Sequence, residues 1–125
     1  MKILQINTSL VPGSTGRIAS EISDLIKKNG HESVISIGRG QGTDNSNIIR
    51  IGNKGDILLH VLFSRLFDRH GFGSTNATQK AIQKFFINTP DVVHLHNLHG
   101  YYVNIKVLFE FIGSLHKPVI WTFHD

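Results

Sequence analysis

The chain has 125 residues, 40% of them hydrophobic and 18% charged, with no cysteine and a formal net charge of +4. That length supports one domain with a genuine core, at roughly 100–200 residues per domain. The cysteine count excludes disulfide scaffolds and thiolate-held zinc or iron–sulfur centres. With 12 Gly, 3 Pro and many branched aliphatics, collagen-like and disordered classes are excluded too. The basic balance does not imply nucleic acid: seven of the 13 Lys and Arg lie in residues 1–62, six in 63–125, and no run exceeds Lys27-Lys28. Met1-Lys2 leads straight into Ile3-Leu4-Gln5-Ile6-Asn7, too short and polar-interrupted for a secretory signal, and no apolar run approaches the ~18 residues of a membrane span. A cytoplasmic protein, soluble or peripherally bound to a membrane, is expected.

Strand-like and helix-like segments alternate along the chain. Lys2–Asn7 is an apolar run suited to a strand buried on both faces. A turn-rich loop, Thr8–Thr15, precedes a helix over Gly16–Asn29, whose stripe is Ile18, Ile22, Leu25 and Ile26; Ser14 or Thr15 would cap it and Gly30 would end it. Ser33–Ile37 is a second strand, Gly38–Asn47 a polar loop, and Ile48–Ile51 a brief third strand. Gly55–His70 reads as a helix of unusual apolarity, broken by Gly71-Phe72-Gly73. Ser74 or Thr75 caps another helix to about Phe86. Pro90–His96 is a strand, Tyr101–Leu115 a helix and Pro118–His124 a last strand. The order β-α-β-β-α-α-β-α-β predicts an α/β fold, a Rossmann-like doubly wound and mostly parallel sheet.

Ligands of such sheets bind at the carboxyl ends of the strands, near the reversal in strand order. Three segments fall there: the loop after Asn7, the stretch His94–Gly100, and His124-Asp125. In the first, Gly13 and Gly16 let a phosphate approach a helix amino terminus, and Arg17 would add charge; the alternative is a plain flexible turn. The spacing is not Gly-x-Gly-x-x-Gly, and the second strand ends Ile37-Gly38-Arg39 without an acid, so an NADP-type site rests on Arg39 alone. In the second, His94, His96 and His99 suggest either a metal centre or ligand recognition. His94 and His96 share a strand face, but few other metal ligands converge on them. One histidine packed beneath the strand, with His96, Asn97 or His99 bonding a polyhydroxylated ligand, is the preferred reading, and no metal is expected. In the third, His124 and Asp125 would position a hydroxyl or meet developing charge; a polar strand tip is the plain alternative. The helix around 55–71 would lie against a second domain or on a membrane surface.

Met1–Asn7, the Gly13…Gly16-Arg17 loop, Pro90-Asp91-Val92-Val93-His94-Leu95-His96-Asn97 and Pro118–Asp125 together resemble the amino-terminal domain of retaining glycosyltransferases of family 4. The likeness is greatest to the enzymes of capsular, exopolysaccharide and colanic-acid assembly, which carry a segment similar to Asp68–Ser74 ahead of the His-Leu-His-Asn-Leu-His-Gly-Tyr-Tyr stretch. The resemblance implies the amino-terminal half of a GT-B enzyme, in which two Rossmann-like domains face each other across a cleft. Residues 1–125 would be the acceptor-side domain, and the carboxy-terminal donor-binding domain, with a Glu-x7-Glu-like motif, would be missing. The full enzyme would move a sugar from a nucleotide-sugar donor to a lipid-linked or polysaccharide acceptor, and this chain alone would be inactive. The resemblance also implies that Gly13, Gly16 and Arg17 reach the donor diphosphate, that His124 and Asp125 stand at the reacting centre, and that no metal cofactor is required. The first loop departs from the family's Gly-Gly pattern. A nucleotide-binding Rossmann domain and a non-catalytic interaction domain of the same fold are the alternatives.

Overall fold

In the computed structural model, residues 1–10, 13–40, 47–68, 73–87 and 89–124 are described. The elements are β1 (Lys2–Ser9), α1 (Ser14–Lys28), β2 (Glu32–Arg39), β3 (Ile48–Arg50), α2 (Lys54–Phe67), α3 (Thr75–Ile87), β4 (Val92–Leu95), α4 (Ile105–Leu115) and β5 (Val119–Trp121). All pairings are parallel, in the order β3-β2-β1-β4-β5. The predicted α/β, Rossmann-like sheet and its element order are therefore present. The chain winds outward from β1 through β2 to β3, then returns to β4 on the other side, so the order reverses between β1 and β4.

One sheet face carries α1, and the opposite face carries α3 and α4 around Leu4, Ile6, Val93, Leu95, Phe85, Leu108 and Phe111. The two sides differ in character. Under α1 the inward residues are Gly16, Ala19 and Ser23, while Leu25 of the predicted stripe is exposed and Ile18, Ile22 and Ile26 are only half-buried. The small residues face inward because α1 lies close over β1: a side chain on Gly16 would run into the backbone of Ser9 and Leu10. Gly13, not Ser14 or Thr15, stands at the amino-terminal cap, and no side chain caps that end. The other end closes as expected: Gly30, at φ 77°, donates to Lys27 O, and His31 donates to Ile26 O.

Helix α4 starts at Ile105, four residues later than predicted. Asn104 caps it by accepting from Val107 N at 3.1 Å, donates from its own backbone to Thr78 Oγ1 at 2.8 Å, and reaches Thr75 Oγ1 at 3.0 Å. The four residues before it are used differently: Tyr101 is left-handed at φ 58°, and Tyr102 is buried with its hydroxyl on Asn97 O at 2.8 Å. Helix α2 begins with a capping box, Asn53 and Asp56 exchanging bonds of 3.0 and 2.8 Å.

The polarity of α2 is inverted. It buries His60 and Ser64, whereas Leu58, Leu59, Leu62, Phe63, Leu66 and Phe67 are at least half exposed. Spaced at i, i+1, i+4, i+5, i+8 and i+9, these six make one continuous apolar stripe facing outward. Arg69, His70, Gly71 and Phe72, included in the expected 55–71 contact segment or its breaker, lie outside the described residues.

Gly38, near the end of β2, touches the buried Tyr102 ring so closely that a Cβ there would collide with the ring carbons. We expect Gly38→Ala to lower stability by about 2 kcal/mol or more, as overpacking in a dense core does. Urea unfolding checks this, with Gly113→Ala as the control, since a Cβ at Gly113 meets open space.

Candidate functional site

The carboxyl ends of β1, β4 and β5 meet where the strand order reverses, and backbone carbonyls there are held by side chains. Thr8 Oγ1 donates to Asn97 O at 3.1 Å and His99 O at 2.9 Å. Asn7 Oδ1 accepts from Asn97 N at 3.2 Å, and Trp121 Nε1 donates to His96 O at 3.1 Å. These bonds fix the exit of β4 against its neighbours and set the positions of the histidines.

At the centre is Gln5, fully buried on the α1 side of the sheet. Its Nε2 donates to Ala19 O at 3.1 Å and to Ser33 Oγ at 3.4 Å, and its Oε1 lies 2.9 Å from His96 Nε2. A carbonyl can only accept, so Ala19 O fixes which end of the amide is nitrogen. The oxygen therefore faces His96, and His96 Nε2 carries the proton. Burial, reinforced by the neighbouring His94 and His124, pushes the His96 pKa down to about 4, so the ring is neutral near pH 7. Its Nδ1 then has only a lone pair, and it accepts from His124 Nε2 at 3.0 Å. His124 thus turns its Nε2–H toward His96. One helix carbonyl thus determines, through two side chains, the face His124 offers.

His94 stands beside this chain. Its ring lies 4.1 Å from that of His96, as expected of two residues on one strand face, and its Nε2 is 2.8 Å from Thr122 Oγ1. Its pKa is also lowered, by burial first and His124 second. Among the described residues no group of three His, Cys, Asp or Glu side chains is arranged to hold a metal ion.

The sequence candidates fall into separate places. His96 is 1% exposed with both ring nitrogens engaged, so it, like His94, packs beneath the strand end and has no free nitrogen for an acceptor. Asn97 is half-buried, and exposed His99 lines a cavity at the strand ends. His124 is half-exposed at the end of the bond chain, while Asp125 lies outside the described residues. Gly13 (φ 148°) has open space around it, whereas Gly16 is buried by close packing. Arg17, on the exposed surface of α1, is 3.6 Å from Glu21.

That cavity, about 510 Å³, is bounded by Arg39, His99, Tyr101, Ile105, Phe109 and Trp121 among others. Gln5 and Trp121 were not among the predicted site residues. The signal for Gln5 was available: an amide in the middle of Ile3-Leu4-Gln5-Ile6 must find partners if the strand is buried on both faces.

The curated Escherichia coli (strain K12) protein named "Putative colanic acid biosynthesis glycosyl transferase WcaC" is 29% identical to the chain over 137 aligned residues. The alignment covers all of this chain and 33% of the relative, so the chain spans about a third of that protein's length. No family model matches the chain, and no solved structure matches it. The similarity bears out the family resemblance carried by the motifs around β1, β4 and β5.

Two outcomes are expected of the histidine chain. Nitrogen-15 imidazole spectra at pH 7 should show His96 protonated at Nε2 only. Gln5→Met should abolish that fixed tautomer and cost on the order of 2 kcal/mol, because Ala19 O and His96 lose a buried partner. The second outcome concerns acid. The folded-state pKa of His96 is below the ordinary value of about 6.5, so the unfolded chain binds more protons between pH 6.5 and 4. Stability should be fully present above pH 6.5 and fall toward pH 4, by at most about 3 kcal/mol from His96. Thermal melts of wild type and His96→Gln across this range check it, the variant having the shallower slope.

Proposed function

We propose that the chain is the acceptor-side, amino-terminal part of a retaining GT-B glycosyltransferase that passes a sugar from a nucleotide-sugar to a lipid-linked or polysaccharide acceptor. The observation that carries this is the whole-chain similarity to the colanic acid glycosyl transferase, which includes the segments forming the strand ends. In this reading His124 meets the donor sugar through Nδ1, with Asp125 beside it. The opening of α1 around Gly13, together with Gly16 and Arg17, faces the donor diphosphate, where backbone N–H groups favour negative charge. Asn97 and His99 border the acceptor, and His96 acts through His124. Protein cations and helix termini would stabilise the leaving diphosphate without a metal. A second Rossmann-like domain would supply most of the donor site, and the chain by itself would not turn over.

The outward stripe on α2 supports peripheral attachment to the cytoplasmic face of a membrane, where a lipid-linked acceptor would be met. Among the described residues no helix is long and apolar enough to cross a bilayer. An interfacial helix of this kind sinks its apolar face into the headgroup boundary. We expect the chain to sediment with vesicles containing anionic lipid, and the Phe63→Asp, Leu66→Asp double variant to lose about tenfold in partitioning.

The reading frame tests the transferase assignment. Its continuation past Asp125 into about two hundred residues with a Glu-x7-Glu motif is expected, and its product should transfer sugar from a UDP- or GDP-sugar. Tight NADPH binding with no response to UDP or GDP would sink the transferase and leave the dinucleotide-binding alternative.

A further inference from the structure

A second cavity, of about 250 Å³, opens at the carboxyl end of β3, on the far side of β2 from the strand-order reversal. Its floor is made of small residues. Ala77 and Ala81 of α3 are buried there, and Gly52, at φ 70°, keeps the space open. A Cβ on Gly52 would lie 3.0 Å from Asp56 Oδ2 and 3.1 Å from Ala77 Cβ. The rim is basic: among the described residues, Arg50, Lys80 and Lys84 line it against one carboxylate, Asp56. That carboxylate is engaged within α2, where Oδ2 accepts from Asn53 N at 2.8 Å in the capping box. Arg50 Nη1 donates to Gly40 O at 3.0 Å, which fixes the guanidinium at the rim. Lys80 and Lys84 are exposed and one helical turn apart, a like-charge spacing that is unfavourable for α3 alone and favourable around an anion. At this volume the cavity falls below the roughly 300–1,000 Å³ of sites for drug-sized ligands, so it suits a phosphate group rather than a whole nucleotide.

We infer that this cavity is a phosphate-monoester site, and that the phosphate it takes is the terminal headgroup of a membrane lipid. Three cations match a group with three free oxygens and a charge approaching two; a diester offers two oxygens and a single charge. The lipid is favoured as carrier because the first turn of α2 forms one wall of the cavity. The outward stripe of that helix begins at Leu58, roughly 6 Å along the axis from Lys54, so headgroup and acyl chains are met side by side. The phosphate site rests on the cavity alone, and naming a lipid as its carrier rests on the membrane reading of α2. A soluble phosphate ester has the same chemistry, so both sources enter the test.

Glycerol 3-phosphate is titrated into the chain while backbone amide shifts are followed. Saturable shifts are expected within residues 52–56 and 76–84, with affinity falling about tenfold in the Lys80→Gln, Lys84→Gln double variant. Both lysines are exposed, so the variant should melt with the wild type. In parallel, the chain is sedimented with phosphatidylcholine vesicles carrying phosphatidic acid, a monoester, or phosphatidylglycerol, a diester, at equal surface charge. Partitioning should be about fivefold stronger on phosphatidic acid, and the double lysine variant should lose that preference. Phe63→Asp, Leu66→Asp should leave glycerol 3-phosphate binding unchanged, which separates a failure of the stripe from a failure of the site. No saturable shift at these amides, or one indifferent to both lysines, would overturn the site, and vesicle binding that persisted would leave the membrane reading of α2 intact. Lysine-dependent glycerol 3-phosphate binding with no preference for phosphatidic acid would overturn the lipid carrier and assign the site to a soluble ester.

Discussion

A buried glutamine in the central strand is the constraint on which the rest of this structure depends. Gln5 must satisfy a donor group and an acceptor inside a sheet covered on that face by α1, and it does so with Ala19 of α1, Ser33 of β2 and His96 beyond β4. The cost of leaving any of these unpaired is several times the net gain of an ordinary hydrogen bond. Helix α1 must therefore lie close enough for its carbonyl to be reached, which accounts for Gly16, Ala19 and Ser23 on its inner face. The same amide decides which nitrogen of His96 carries a proton, and so what His124 presents at the strand ends.

The fold was legible because it rests on period and punctuation. The order of nine elements follows from short branched-aliphatic runs alternating with helical stripes, and Gly30 ends α1 as glycine does where a left-handed residue is needed. Errors came where one side chain overrode the period. Tyr101–Asn104 continue the helical pattern of α4 in sequence, yet Tyr102 is drawn into the core beside Gly38 and Asn104 is taken as the cap. Of the site, its place at the strand ends and the pairing of His94 with His96 were legible, since both follow from topology and the strand period of two. The roles within the pair were not. They depend on Ala19 and Gln5, fourteen residues apart, orienting an amide toward a histidine 91 positions beyond Gln5. No spacing rule reaches that far.

In helix α2 a few polar contacts set the direction of a very apolar helix. The residues it turns inward are His60 and Ser64, not its leucines and phenylalanines. His60 has specific demands: its Nδ1 lies 2.9 Å from Ser74 Oγ, Gly73 N donates to its Nε2 at 3.2 Å, and its ring meets Tyr101 edge-on at 5.6 Å. A side chain on Gly73 would strike that ring. Polar recognition between α2 and the Gly73-Ser74 turn thus fixes the rotation of the helix, and that rotation sends the six large apolar side chains outward.

The consequence reaches the cavity. His60 and Tyr101 line it, so the contacts that orient α2 also shape one of its walls, while Arg39 and Gly100 shape another from the end of β2 and the turn after β4. The histidine chain ends at the same edge, where Trp121 belongs to both systems, donating to His96 O through Nε1 and facing the cavity with its ring. Trp121 thus joins one wall of the cavity to the strand exit that carries His96, the residue on which the orientation of His124 rests.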